Sequence, residues 1–219
     1  MTQARLRSAM LISVLFLCFL WWIKLFESFS GIDLGAWGLR PLEPMGLIGI
    51  LTGPLLHGSY SHLFANSLPI LILGSLFIYG YPRAWKRAVV LIWLLSGLGV
   101  WLFARQAIHL GASGLNHGLF FFLLLSSIIR RDKRSVGLMM IGAFLYGGML
   151  MSIFPREPNI SFEYHFFGAM AGLLASLLFQ HLDPKPAEKK YPWEGESKDS
   201  EDPLIGDEWQ SGSKSETDR

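Results

Sequence analysis

Six apolar runs divide this 219-residue chain, at about residues 9–26, 61–80, 87–104, 113–129, 136–154 and 163–181. A helix rises 1.5 Å per residue, so runs of this length approach the roughly 30 Å of a bilayer's hydrocarbon core. Lipid offers no partner to an open backbone, which restricts runs of this kind to helices. The predicted fold class is therefore an all-α membrane protein, a bundle of six transmembrane helices. Pro69 in the second run and Gly97 and Gly99 in the third fit that reading, because neighbouring helices cover the freed backbone groups. Composition agrees: 16% of residues are charged, against roughly a quarter in soluble domains.

The first run is an uncleaved helix rather than a signal peptide. Arg5 and Arg7 precede it, but it ends in Trp21-Trp22-Ile23-Lys24 with no small-residue cleavage site. Lys and Arg then orient the bundle. With a cytoplasmic N-terminus, the inside segments carry Arg5 and Arg7, then Arg83, Lys86 and Arg87, then Arg130, Arg131, Lys133 and Arg134, then Lys185, Lys189 and Lys190. The outside segments carry only Lys24, Arg40, Arg105 and Arg156. The positive-inside rule thus puts both termini in the cytoplasm. Between Glu27 and Tyr60, apolar residues are interrupted by Pro41, Pro44, Gly46, Gly49, Gly53 and Pro54. That pattern predicts a structured loop lying partly in the outer interface, with Trp37 as an anchor. The helical domain is expected over residues 1–182 and a disordered cytoplasmic tail over 183–219, where Pro, Glu, Asp, Ser, Lys and Gly dominate. Cys18 is the only cysteine, so an intrachain disulfide is excluded. There is no basic stripe with interleaved aromatics, so nucleic acid is excluded as a partner.

The polar residues inside the runs carry the chemistry. Ser113 opens the fourth run within Gly111-Ala112-Ser113-Gly114, His62 and Asn66 open the second, and His165 opens the sixth. Alternating spans bring all four to the outer side of the membrane. A serine hydroxyl becomes a nucleophile when a base lies within hydrogen-bond reach, and an imidazole is the usual base. Gly114 and Gly118 form one small-xxx-small pair and Gly168 and Gly172 another. Such pairs let helix backbones approach in lipid. Their contact would bring Ser113 and His165 together as a catalytic dyad. An oxyanion needs preorganised donors. The Ser113 N–H at a helix start, with Asn66 and His62 one turn apart, could supply them. No carboxylate is placed to orient His165, since Glu163 is two residues away and points elsewhere on a helix.

In combination these residues resemble the rhomboid intramembrane serine proteases, of the minimal six-helix bacterial kind. The matching pieces are Gly111-Ala112-Ser113-Gly114, His165-Phe166-Phe167-Gly168 continuing to Gly172, and His57, His62 and Asn66 spaced His-x4-His-x3-Asn. The resemblance covers residues 10–181. It implies Ser113 as nucleophile, His165 as base, and His62, Asn66 and the Ser113 amide around the oxyanion. It also implies a first loop in the outer leaflet, and a fifth helix that gates substrate entry together with its adjoining loop. Two positions depart from the family. Trp37 and Arg40 are separated where a Trp-Arg pair is common, and His117 stands where Tyr or Phe commonly stacks on the catalytic imidazole. His117, Gly114 and Gly168 are expected to pack beside the site. His57 is given a structural role, and His109 and His181 none.

The function expected is an endopeptidase in a bacterial inner (plasma) membrane, cutting single-span or membrane-anchored proteins near the outer face without a metal or other cofactor. The alternative is a catalytically inactive rhomboid-like protein that binds membrane clients. A histidine-based metal or ion transporter is a third reading, weakened by the lack of intramembrane carboxylates and cysteines.

Overall fold

A computed structural model describes residues 2–155 and 161–187. Its α-helices are α1 (Thr2–Ser30), α2 (Gly49–Thr52), α3 (Tyr60–Gly80), α4 (Trp85–Phe103), α5 (Ser113–Arg130), α6 (Lys133–Tyr146), α7 (Met149–Ser152) and α8 (Phe162–Phe179). Among the described residues the only extended pairing is a single antiparallel bridge between Leu39 and His109. The expected all-helical membrane bundle is what the chain forms. Helices α1, α3, α4 and α5, and α8 with the turn that follows it, are each long and apolar enough to span a bilayer. From residue 188 onward, the tail expected to be disordered lies outside the described residues.

Helix α5 is the centre of the bundle. It carries Ser113, Asn116, His117, Ser126, Ser127 and Arg130 within one membrane-length helix, and polar groups at such depth must face the bundle interior rather than lipid. Two thirds of its span is buried (67%), against 17% for α1. Phe120, Phe122 and Leu123 of α5 pack with Leu73 and Phe77 of α3, Ile92 of α4, Leu138 of α6 and Ala175 of α8. Phe122 meets the edges of Phe77 and Tyr81 at 4.8 and 5.0 Å between centroids, a favoured aromatic geometry. Helix α1 rests on α3 through Leu20, Leu63 and Ile70, and Trp21 Nε1 donates to Ser67 Oγ at 3.1 Å.

The glycine pairs meet as the sequence predicts. A Cβ on Gly168 would collide with the Gly114 carbonyl, and one on Gly172 with the Gly118 carbonyl. Helices α5 and α8 therefore touch backbone to backbone, in one register over about one turn.

The fifth run differs from expectation. It forms no single helix over 136–154; α6 stops at Tyr146, and α7 follows after Gly147-Gly148. Two consecutive glycines are the reason: each disfavours a helix by about 1 kcal/mol relative to alanine and offers no side chain to pack. Fourteen residues rise only about 21 Å, short of the hydrocarbon thickness.

The loop from Gly31 to Ser59 is structured, through 3-10 turns at Leu34–Trp37, Pro44–Leu47 and Gly53–Leu55 and through α2. Trp93 Nε1 donates to the Ile50 carbonyl at 3.1 Å, and Trp101 Nε1 to the Glu43 carbonyl at 3.0 Å, so α4 holds the loop. Trp37 is exposed, as an interfacial anchor would be.

At the other end of the bundle, Arg130 is buried rather than solvated. Its Nε donates to Asp132 Oδ2 at 2.9 Å and to Ser135 Oγ at 3.0 Å. Its Nη1 donates to the carbonyls of Gln180 and Asp183 at 2.6 and 2.7 Å. Asp183, assigned to the tail by composition, is buried. Its carboxylate accepts the backbone N–H groups of Arg83 and Ala84 at the start of α4.

Candidate active site

Three entries into helices build the site. Ser59 caps α3, its Oγ accepting the His62 N–H at 3.1 Å, as capping serines do. This fixes His62 in the first turn and Asn66 one turn on. The Asn66 Nδ2 donates to the His62 carbonyl at 3.0 Å.

The second entry is the turn before α5. Gly111 has φ +107°, a backbone that residues with a Cβ rarely adopt, and a Cβ there would also meet the His62 ring at 2.6 Å. Glycine is thus required twice over. The Gly111 N–H is taken by the Gly53 carbonyl at 2.9 Å, and the Ala112 N–H points to His57 Nε2 at 3.5 Å. His57 accepts there as a neutral ring. Burial, reinforced by neighbouring His62, lowers its pKa to about 3. This gives physical content to the structural role expected of His57. Ala112 offers no side-chain cap to α5. The N–H groups of the first turn have no intrahelical partner, and Ser113 belongs to that turn.

The third entry is the start of α8. Buried His109 lies 2.6 Å from Ser161 Oγ through Nδ1, and its Nε2 donates to the Arg105 carbonyl at 3.0 Å. With the Leu39–His109 bridge, this ring ties the first loop, the loop before α5 and the residue preceding α8 into one unit. Burial moves its pKa down, which favours the neutral ring. Nothing in the sequence assigns His109 this role.

These elements enclose a cavity of about 750 Å³. Ser113, His62, Asn66, His117 and His165 all line it, so the four candidate catalytic and oxyanion residues and the candidate packing residue share one chamber. Among the described residues, no hydrogen bond joins Ser113 Oγ to His165. His165 instead donates Nδ1–H to the Ser152 carbonyl at 2.9 Å, which leaves Nε2 as the nitrogen with a lone pair. His117 stacks on His165, the rings 4.0 Å apart and 11° from parallel. His117 thereby fills the stacking position that the family resemblance assigns to an aromatic ring. Its Nδ1 lies 2.7 Å from the Ser113 carbonyl and must donate, since a carbonyl only accepts. Its Nε2 lies 2.7 Å from Ser152 Oγ. Gly114 and Gly168 meet each other at the α5–α8 contact, where Gly114 also faces Tyr164.

Two participants were missed in the sequence. Asn116 Nδ2 donates to Asn66 Oδ1 at 3.0 Å and to the Asn66 carbonyl at 3.3 Å, and so fixes which way the Asn66 amide faces. Ser152 meets both stacked imidazoles. Asn116 follows Ser113 by three residues, which could have marked it as sharing the serine's face. Nothing in the sequence singles out Ser152. Among the described residues no group of three or more His, Cys, Asp or Glu side chains could hold a metal ion.

Residues 44–181 match the Rhomboid domain family. An uncharacterised protein of Mycobacterium tuberculosis is 35% identical over 179 residues, covering 78% of this chain and 75% of that protein. A relative in Mycobacterium bovis matches to the same extent. One in Mycobacterium leprae is 31% identical over 180 residues, covering 78% of this chain and 71% of that protein.

Proposed function

The chain belongs to the rhomboid family of multi-pass membrane proteins, and from that membership we propose that it is a serine endopeptidase cutting single-span or membrane-anchored proteins within the bilayer. One observation carries the reading. Ser113, His165 and the donors His62 and Asn66 line a single cavity at the start of the most enclosed helix, with the histidine ring held in one tautomer. In the proposed reaction Ser113 Oγ attacks the scissile carbonyl while His165 Nε2 takes its proton. The oxyanion accepts hydrogen bonds from the Ser113 N–H, the Asn66 amide and His62, each donor supplying about 3–4 kcal/mol of transition-state stabilisation. His165 passes the proton to the leaving amine, and water, activated by the same ring, releases the acyl group from Ser113. A helical substrate hides its peptide bonds, so small or helix-breaking residues are expected near the cut. The charge asymmetry of the loops supports a site opening to the outer face of a bacterial plasma membrane, with both termini in the cytoplasm.

A second reading, an inactive relative that binds membrane clients, draws on the missing Ser113–His165 hydrogen bond. Catalytic hydrogen bonds are often long without substrate, so an active enzyme accommodates the same observation. A serine-directed fluorophosphonate probe separates the two. It should label the wild type and neither Ser113→Ala nor His165→Ala. A membrane-impermeant version should label intact cells from outside. Cleavage of a single-span substrate panel should vanish in each single variant, and the double variant should be no worse. A folded wild type that takes no probe, or substantial turnover by Ser113→Ala, would sink the proteolytic reading.

A further inference from the structure

We propose that Ser152 is the positioning residue for the stacked histidine pair, holding His165 through its backbone and His117 through its side chain. No carboxylate is placed in the sequence to orient His165, and the structure supplies a carbonyl instead. The Ser152 carbonyl accepts the His165 Nδ1–H at 2.9 Å. A ring so held keeps its proton on Nδ1 and its lone pair on Nε2, the state that a base needs. The Ser152 hydroxyl acts on the other ring. In neutral His117 the Nδ1–H is committed to the Ser113 carbonyl, so Nε2 accepts, and Ser152 Oγ lies 2.7 Å from it. The hydroxyl's other partner, the Met149 carbonyl, is farther at 3.1 Å. His117 is thus gripped at both nitrogens and presents its flat face to His165 at 4.0 Å. One residue therefore sets the tautomer of the first ring and the plane of the second.

Ser152 ends α7, beyond Gly147-Gly148, and with Gly148 and Met149 it forms one wall of the cavity that holds both rings.

The kinetic consequence rests on the proteolytic reading above; the ring geometry does not. Two measurements on the full-length protein in detergent separate them. In the first, Ser152→Ala should lower kcat about tenfold with KM changed less than about twofold, because ring placement acts on the chemical step. Ser152→Thr, which restores a hydroxyl, should recover most of that loss. In His117→Phe, which keeps a stacking face and should keep part of the turnover, adding Ser152→Ala should cost less than about twofold more. An equal loss in both backgrounds, or none in the wild type, overturns the proposal, since the hydroxyl would then not act through His117.

In the second measurement, 15N signals of the histidine rings are read with no substrate present. The wild type should show both His117 and His165 as Nδ1–H tautomers, and Ser152→Ala should shift the His117 Nε2 signal. If that shift appears in a protein that neither cleaves substrate nor takes the probe, the positioning role stands and the proteolytic reading falls. Unmoved ring signals overturn the positioning role whatever the activity.

Discussion

Asn116 donates to both oxygens of Asn66 while its own Oδ1 is buried without a partner among the described residues. An orphaned acceptor of this kind is costly, and orienting the Asn66 amide is what the arrangement accomplishes. Asn116→Leu keeps the number and branching of the side-chain heavy atoms and removes both the donor and the orphaned oxygen. Thermal stability in detergent should change little. The Asn66 amide then loses its anchor, and kcat should fall about tenfold, or about 1.4 kcal/mol of barrier, with KM nearly constant. In an Asn66→Ala background the same substitution should add almost nothing, because both act on one donor. Additive losses measured by steady-state kinetics would mean that Asn116 touches substrate or shapes the cavity directly. The His57 and His109 rings show the same economy in the loops: neutral and buried, each joins backbone segments that enter the site.

Helices α5 and α8 carry the serine and the histidine, and their distance is set by glycines. A methyl at Gly168 or Gly172 would run into the facing carbonyl of Gly114 or Gly118, so the helices must part. Gly168 lies three residues after His165, less than one turn, whereas Gly172 lies about two turns away. Parting the helices beside the histidine shifts the reacting groups by the order of 1 Å, which costs about 100-fold in rate. Gly168→Ala should therefore lower kcat about 100-fold, and Gly172→Ala clearly less, while both lower the unfolding temperature by similar amounts. Matching kcat losses in the two variants would indicate general loosening of the bundle rather than a local displacement. Helix α6 illustrates the opposite use of glycine. The Gly147-Gly148 pair ends a helix too short to span alone, and α7 beyond it lines the cavity.

The bundle has two polar ends with different tasks. Ser113 and Arg130 are the first and last residues of α5, about 26 Å apart by helical rise. The Arg130 end is held by one buried network that reaches Asp132 and Ser135 before and within α6, and Gln180 and Asp183 after α8. Asp183 also caps the start of α4. A chain ending at residue 187 keeps all of this, so its unfolding temperature and its kcat on a purified substrate should match the full chain. A chain ending at 182 loses the cap and one acceptor of Arg130. Its stability should drop by about 1–2 kcal/mol or more, seen as an earlier thermal transition in detergent. A large kcat loss in the 187-residue chain would show that the tail acts on the helical body.

Much of this was legible along the chain. Length and apolarity alone set five of the spans, because the bilayer imposes a local requirement on each helix that needs no knowledge of its neighbours. The glycine spacing marked the α5–α8 contact, since close approach demands small residues at one interval. His165, His62 and Asn66 could be named because ionisable and amide groups are conspicuous inside apolar runs, and Ser113 because it stands between glycines at the mouth of one. The partners of Asn116, Ser152, His109 and Asp183 could not be assigned, even where spacing put Asn116 on the face of Ser113. Asn66 and Asn116 are 50 residues apart, and Asp183 and Ala84 are 99 apart. Whether such groups meet depends on the rotation and register of separate helices. Packing of the whole bundle fixes those, through glycine contacts and interlocking aromatics that no single segment contains.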